Sequence, residues 1–126
     1  MGGGAQIALA SGLSSPRSIV VDGATLFWMD FNSSVVMSLP IEGGAPTTVA
    51  SASAAGSWGI AVDTTNVYYA DREQGTVMKV CRGGGEPKTL ATGQDQPHSV
   101  AVDATSIYWL DGMYSNEGQV MKLRLH

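Results

Sequence analysis

Short runs of apolar, β-branched and aromatic residues recur along the chain, and glycine-rich or polar segments separate them. The run IAVD (60–63) is apolar at consecutive positions, as is typical of a strand that is buried on both sides of a sheet. NVYYAD (66–71) follows it and is rich in residues that favour strands. No window shows helical periodicity of useful length. The pattern therefore predicts an all-β chain of many short strands.

This two-strand pattern forms an internal repeat. Its three copies are SIVVDGATLFWMD (18–30), GIAVDTTNVYYAD (59–71) and SVAVDATSIYWLD (99–111). Each copy is followed by a third, partly alternating run such as GTVMKV (75–80). A fourth, more polar run follows the first two copies, as in PTTVA (46–50), and its equivalent IALA (7–10) stands at the start of the chain. Four antiparallel strands in about forty residues are typical of one blade of a β-propeller.

The aromatic end of each copy resembles the YWTD repeat of six-bladed β-propellers, and the NHL-type propellers are similar. The tetrads here are FWMD (27–30), YYAD (68–71) and YWLD (108–111). The resemblance implies that the aspartates hold neighbouring backbone and that the aromatic residues fill the core. These residues are Asp30, Asp71 and Asp111, with Trp28, Tyr69 and Trp109. Members of the family mostly bind proteins or small ligands and some relatives are enzymes, so the resemblance implies an architecture and no single activity.

The repeat boundaries predict a single domain, residues 1–126, with three blades' worth of strands in a shifted order. An outer strand comes first at about 5–10, complete blades follow at 17–50 and 58–91, and three strands at 98–124 end the sequence. Propellers typically close with four to eight blades, and three blades leave two open edges. We therefore expect a homodimeric six-bladed ring in which each N-terminal strand completes the partner's last blade.

Composition narrows the range of partners. Seven Lys or Arg and eleven Asp or Glu among 126 residues give a net charge of −4, which does not suit binding to nucleic-acid phosphates. A membrane partner is not expected, because no apolar run approaches the ~20 residues that cross a bilayer. The first ten residues also lack the basic segment and the long apolar run of a signal peptide. The lone Cys81 allows neither an internal disulfide nor a cysteine-based metal site.

The aspartates that end the inner strands are weak candidates for metal ligands. Asp22, Asp63 and Asp103 would lie near the axis of a closed ring, and Ca²⁺ takes six to eight oxygen ligands. A structural role is favoured, because the same residue in every blade is what capping of the following turn predicts. No metal ion or other cofactor is therefore predicted.

A ligand site is expected where the repeats differ. The connections that enter the inner strands read SPRS, GSWG and QPHS, and the equivalent variable residues are Arg17, Trp58 and His98. The connections between the second and third strands emerge on the same face and add Phe31, Arg72 and Tyr114. A mixed aromatic and polar set is typical of ligand sites, but variation among exposed loops explains it as well. Trp58 is either an accessible platform for a sugar or aromatic ring, or a side chain buried against a neighbouring blade.

Three functions are open at this point. No nucleophile motif, phosphate loop or acid–base pair is recognisable, so the chain is not expected to be an enzyme and no catalytic residue is assigned. The main hypothesis is a self-assembling propeller unit, either a natural fragment or an engineered repeat. The first alternative is a binding module for carbohydrates or small molecules, and the second is an enzyme of the propeller lactonase or lyase kind, for which only His98 is a visible candidate.

Overall fold

The computed structural model describes residues 6–13, 15–30, 35–51, 59–112 and 117–125. These residues form eleven strands in three antiparallel sheets, and they contain no helix. Accordingly, the described part of the chain offers no helix of the length and apolar character needed to cross a membrane. The expectation of an all-β chain built from three repeated sheets is confirmed.

Each sheet is a run of hairpins in chain order. The first sheet contains β1 (Pro16–Asp22), β2 (Thr25–Asp30), β3 (Val35–Pro40) and β4 (Thr47–Ser51). The second contains β5 (Ile60–Val62), β6 (Asn66–Asp71), β7 (Thr76–Cys81) and β8 (Lys88–Ala91). The third contains β9 (His98–Val102), β10 (Ser106–Asp111) and β11 (Gln119–Arg124). The first strands of the sheets, β1, β5 and β9, lie side by side in that order, and we call them the inner strands.

A side chain closes the first turn of the second and third sheets. Asp63 Oδ1 accepts hydrogen bonds from the backbone N–H groups of Thr65 and Asn66 at 2.9 and 2.8 Å. Asp103 Oδ1 accepts the equivalent bonds from Thr105 and Ser106, both at 2.9 Å. An aspartate that accepts hydrogen bonds from the backbone two and three residues ahead favours a tight turn, so these turns are encoded locally.

Alternation along the second strand of each sheet divides its side chains between two faces. Phe27 and Met29 face the second sheet, where they share a core with Val67 and Tyr69. The opposite face of the second sheet carries Tyr68, which packs with Ile107 and Trp109 of the third sheet. In each blade, therefore, the Trp28 position faces the preceding sheet and the Phe27 position faces the following one.

Residues 6–13 contain no strand within the single chain. The expected outer strand at about 5–10 and its exchange with a partner chain therefore remain predictions.

Candidate functional site: the uncovered faces of the two end sheets

The first sheet has an uncovered apolar face on the side away from the second sheet. Ile19 on this face is 68% exposed, whereas the equivalent Ile60 of the second sheet is 7% exposed because the first sheet covers it. Beside Ile19 lies a cavity of about 470 Å³ whose lining includes Leu26, Trp28 and residues 7–10. We call this surface the leading face.

The third sheet has the complementary uncovered face. Val120 in β11 is 78% exposed, whereas the equivalent residues Val36 and Val77 are fully buried by the sheet that follows each of them. Leu110 is also exposed on this side, and Tyr108 lines a shallow depression with Val120. We call this surface the trailing face.

Most of the exposed large apolar side chains in the described residues belong to these surfaces. Six of the seven lie on the leading face, on the trailing face or in the segment 7–10: Ile19, Val21, Leu110, Val120, Ile7 and Leu9. Scattered exposed apolar residues are ordinary, but contiguous apolar patches mark interaction surfaces. The two faces are therefore the strongest candidate site.

The leading face also contains a buried polar atom without a partner. Trp28 is 5% exposed, and its Nε1 has no hydrogen-bond acceptor. The equivalent Trp109 Nε1 donates to Gln94 Oε1 at 3.2 Å and to Asp111 Oδ1 at 3.1 Å. Leu13 occupies the position equivalent to Gln94 and cannot accept a hydrogen bond through its side chain. A buried donor without a partner costs about 1–3 kcal/mol.

The weak metal candidates lie in turns on the opposite end of the sheets from Arg17 and His98. Hydrogen bonds from Thr105 and Tyr108 hold the pKa of Asp103 at about 2. Burial raises the pKa of Asp63, but hydrogen bonds from Tyr68, Thr65 and Asn66 outweigh it, so the net shift is downward. Among the described residues no three His, Cys, Asp or Glu side chains are grouped as metal ligands.

Asp22 differs from its two equivalents. Phe27 stands where Tyr68 and Tyr108 donate their hydroxyl groups to the aspartate at 2.7 Å. Arg82 of the second sheet instead forms an ion pair with Asp22 and lies 5.0 Å from the centre of the Phe27 ring. Sequence reasoning missed Arg82, although its equivalents Ile41 and Leu125 show that this position also differs between the repeats.

The predicted ligand face is only partly described. Phe31, Trp58 and Tyr114 lie outside the described residues, so both interpretations of Trp58 remain open. Arg17 lines the cavity of the leading face, and Arg72 lies in the turn between β6 and β7. His98 begins β9, and its Nδ1 is 3.3 Å from the carbonyl oxygen of Gln96. The electrostatic interaction between His98 and Asp111 opposes the rise in the pKa of Asp111. The described members of the set therefore have different surroundings.

The tetrad aspartates are buried among local partners. Asp71 Oδ1 accepts a hydrogen bond from the backbone of Gln74 at 3.0 Å, which holds the turn after β6. Burial raises the pKa of Asp111, while the hydrogen bond from Trp109 opposes this shift. Asp30 is also buried.

Comparison with known proteins supports the fold. No protein-family model and no curated protein matches the sequence. The crystal structure of a nidogen/laminin complex is similar at 18% identity and a TM-score of 0.78, over 87% of this chain and 44% of that chain. A streptogramin B lyase is similar at 13% identity and a TM-score of 0.66, over 93% of this chain and 43% of the lyase. Virginiamycin B lyase from Staphylococcus aureus is similar at 11% identity and a TM-score of 0.65, over 89% and 42% of the two chains.

These similarities concern the fold, because identities this low carry no activity from one protein to another. The chain spans less than half the length of each of the three solved chains. Together with the three repeated sheets, they support a β-propeller fold, and three sheets are consistent with half a propeller.

Proposed function

We propose that the chain is a self-assembling half-propeller, in which two copies join head to tail as a closed six-bladed ring. The trailing face of each copy covers the leading face of the other. The observation that carries the proposal is that these two faces are the same chemical pair that already packs together at both junctions inside the chain.

The internal junctions define how the faces would meet. At the second junction, between the second and third sheets, Tyr68 and Val77 pack with Ile107 and Trp109. The equivalent residues at the ends are Tyr108 and Val120 of one copy, and Leu26 and Trp28 of the other. Val120 would then be buried as Val77 is, and the 470 Å³ cavity beside Trp28 would receive apolar side chains of the partner.

The number of sheets supports ring closure by two copies. A repeated head-to-tail junction gives a closed ring when its rotation closes and a filament when it does not. Three sheets are below the four to eight blades of closed propellers, and two copies supply six. The proposal assigns no catalytic step to the chain.

The exposed apolar side chains of the two faces favour association. Burial stabilises an aliphatic side chain by about 1.5–3 kcal/mol, and association costs on the order of 4–15 kcal/mol. Each junction would cover Ile19, Val21, Leu110 and Val120, and the ring contains the junction twice. Because these side chains are already partly covered in the single chain, the gain is below the value for full burial and is of the same order as the cost.

The test is the mass in solution, measured by analytical ultracentrifugation. We expect twice the 13.1 kDa mass of one chain at micromolar concentration. Val120→Glu places a charge in each junction and should shift the mass toward that of one chain, whereas Thr47→Glu, on the exposed part of β4, should not. The melting temperature of the unmodified dimer should also rise with protein concentration. A single-chain mass for the unmodified protein, with a melting temperature independent of concentration, would refute the proposal.

A ligand site on the face that carries Arg17 and His98 is a second candidate function. Ser18 and Ser99 have φ values of 54° and 51°, in the left-handed region, and each lies at a bulge beside Arg17 or His98. Such backbone costs about 1–3 kcal/mol per residue, and bulges re-aim side chains next to functional sites. We expect His98→Ala to abolish any binding found in a screen of monosaccharides while the mass stays that of the unmodified protein. Unchanged binding would remove His98 from the site.

A further inference from the structure

The outer strands of the first two sheets pair in one register. Met37 lies opposite Thr48, and Met78 lies opposite Thr89. The threonine hydroxyl reaches the methionine sulphur at 3.5 Å in the first sheet and 3.3 Å in the second. Both pairings also contain a bulge just before this position. The fourth strand therefore pairs with the third strand in the same register, and with the same bulge, in both sheets that contain it.

The third sheet has no fourth strand among the described residues. Its order ends at β11, whose outer edge is not paired with any described residue of the chain. Met121 occupies the position of Met37 and Met78, and Val120 that of Val36 and Val77. An open edge of this kind is a template for another strand.

A segment that suits this edge stands at the other end of the chain. Residues 7–10, IALA, are equivalent to TTVA (47–50) in β4 and to KTLA (88–91) in β8. They form no strand in the single chain, and Ile7 is 80% exposed. They line the cavity beside the leading face, which is where the outer strand of a preceding blade would lie.

The chain cannot easily supply this segment to its own third sheet. Residues 7–10 lie against the first sheet, and the second sheet packs between the first and the third. A second copy whose trailing face meets this leading face would instead bring its β11 next to residues 7–10.

We propose that residues 7–10 of each chain form the fourth strand of the partner's third sheet, antiparallel to β11. The register places Ala8 opposite Met121 and Ala10 opposite Val120, with Leu9 as the bulge residue. This inference rests on the proposed ring, and it adds the strand exchange and its register.

The test is disulfide cross-linking between two different single-cysteine chains, because such a bond can only join two molecules. Both carry Cys81→Ser, which removes the exposed native thiol. One carries Ala8→Cys and the other Met121→Cys. The chains are mixed, allowed to exchange and oxidised with glutathione disulfide, which takes up the two electrons and two protons that the thiols release. We expect a mixed dimer that disappears on reduction, since facing residues in this register meet the geometry of a disulfide.

Two controls make the register testable. Lys122→Cys replaces Met121→Cys in the first control, and its side chain points to the opposite face of β11, so the yield of cross-linked dimer should fall at least tenfold. In the second control, Met78→Cys and Thr89→Cys in one chain should form an intramolecular disulfide, which shows that the oxidation conditions suffice. The mass of each cysteine variant before oxidation shows whether it still assembles.

The outcomes separate this inference from the proposed function. A dimeric mass without an Ala8–Met121 cross-link overturns the strand exchange and leaves the ring intact. Equal cross-linking of Lys122→Cys overturns the register. A single-chain mass for the unmodified protein overturns both proposals. Hydrogen exchange of the unmodified dimer is an independent measurement that needs no substitution. Those amides of residues 7–10 that donate to β11 should be protected at least tenfold, whereas fast exchange of every amide in this segment would overturn the strand pairing.

Discussion

The second and third sheets carry nearly the same sequence pattern, but their equivalent residues have opposite environments. Val77 is fully buried and Val120 is 78% exposed, although both are valines at the same position of the third strand. The second sheet lies between two neighbours, whereas the third has a neighbour on one side only. The difference shows that burial in a repeat protein depends on the adjacent repeat more than on the residue itself.

The largest expected effect comes from placing the same charge at the two equivalent positions. Val77→Glu buries an unpaired carboxylate between the second and third sheets, so we expect a loss of more than about 4 kcal/mol in the free energy of unfolding. Val120→Glu should act mainly on association. Circular dichroism and urea unfolding below the concentration at which the protein assembles would measure both. Equal losses in the two variants would contradict the comparison.

A close approach between two inner strands gives the next effect. A Cβ atom on Gly59 would lie 2.5 Å from Ser99 Cα, a backbone atom that cannot move aside without shifting β9. Gly59→Ala should therefore destabilise the chain by about 1–3 kcal/mol, which is typical of overpacking. Gly83→Ala is the matched control, because nothing lies within 4 Å of its Cβ position. Thermal unfolding should show a lower melting temperature for the first variant alone.

Trp28 of the first sheet and Trp109 of the third sheet are equivalent, so a single substitution can remove or add a hydrogen-bond acceptor beside either ring. Gln94→Leu introduces the residue type that the first sheet has at the equivalent position, and it leaves Trp109 with Asp111 as its remaining acceptor. The free energy of unfolding should therefore fall by about 0.5–1.5 kcal/mol. Leu13→Gln copies the third sheet and should stabilise by a similar amount if its side chain reaches Trp28 Nε1. The free energy of unfolding of both variants is the measurement. A neutral Gln94→Leu would show that Asp111 alone satisfies Trp109.

A smaller effect is expected from acid. Because the folded pKa of Asp103 is held at about 2, below its ordinary 3.8, this aspartate stabilises the fold above pH 3.8 and loses that contribution as the pH falls toward 2. Tyr108→Phe copies Phe27 of the first sheet and removes one donor, so the pKa of Asp103 should move up toward 3.8. Carboxyl NMR titration would detect the shift. An unchanged pKa would mean that the backbone donors alone hold it down.

The smallest effect concerns the ion pair between Arg82 and Asp22 at the junction of the first and second sheets. Arg82→Leu copies Leu125 of the third sheet, and Asp22 is 44% exposed, so the loss should be about 0–1 kcal/mol and should shrink in high salt. Urea unfolding at low and high ionic strength would measure it. A large loss independent of salt would instead point to the packing of Arg82 on Phe27 together with the hydrogen bond that Arg82 donates to the carbonyl oxygen of Asp63 at 2.9 Å.

Local features of this protein could be predicted from the sequence. Three copies of one pattern indicated three sheets of short strands, because alternation and β-propensity act within a few residues. The turn-closing role favoured for the inner aspartates agrees with the bonds of Asp63 and Asp103, which reach only two or three residues ahead. The aromatic residues of the tetrads were expected in the core, and Trp28, Tyr69 and Trp109 are buried.

Other features were decided by tertiary structure, since they depend on which sheet lies next to which. Nothing near Arg82 in the sequence pairs it with Asp22, sixty residues away. Val77 and Val120 occupy equivalent positions, so the sequence likewise does not indicate that Val77 is covered and Val120 is exposed. Trp28 and Trp109 occupy equivalent positions, but Trp109 Nε1 donates to Gln94 and Asp111 whereas Trp28 Nε1 has no acceptor, and Leu13 stands at the position of Gln94. Alternation sorts side chains onto two faces of a strand, whereas the packing of sheet against sheet determines what each face meets.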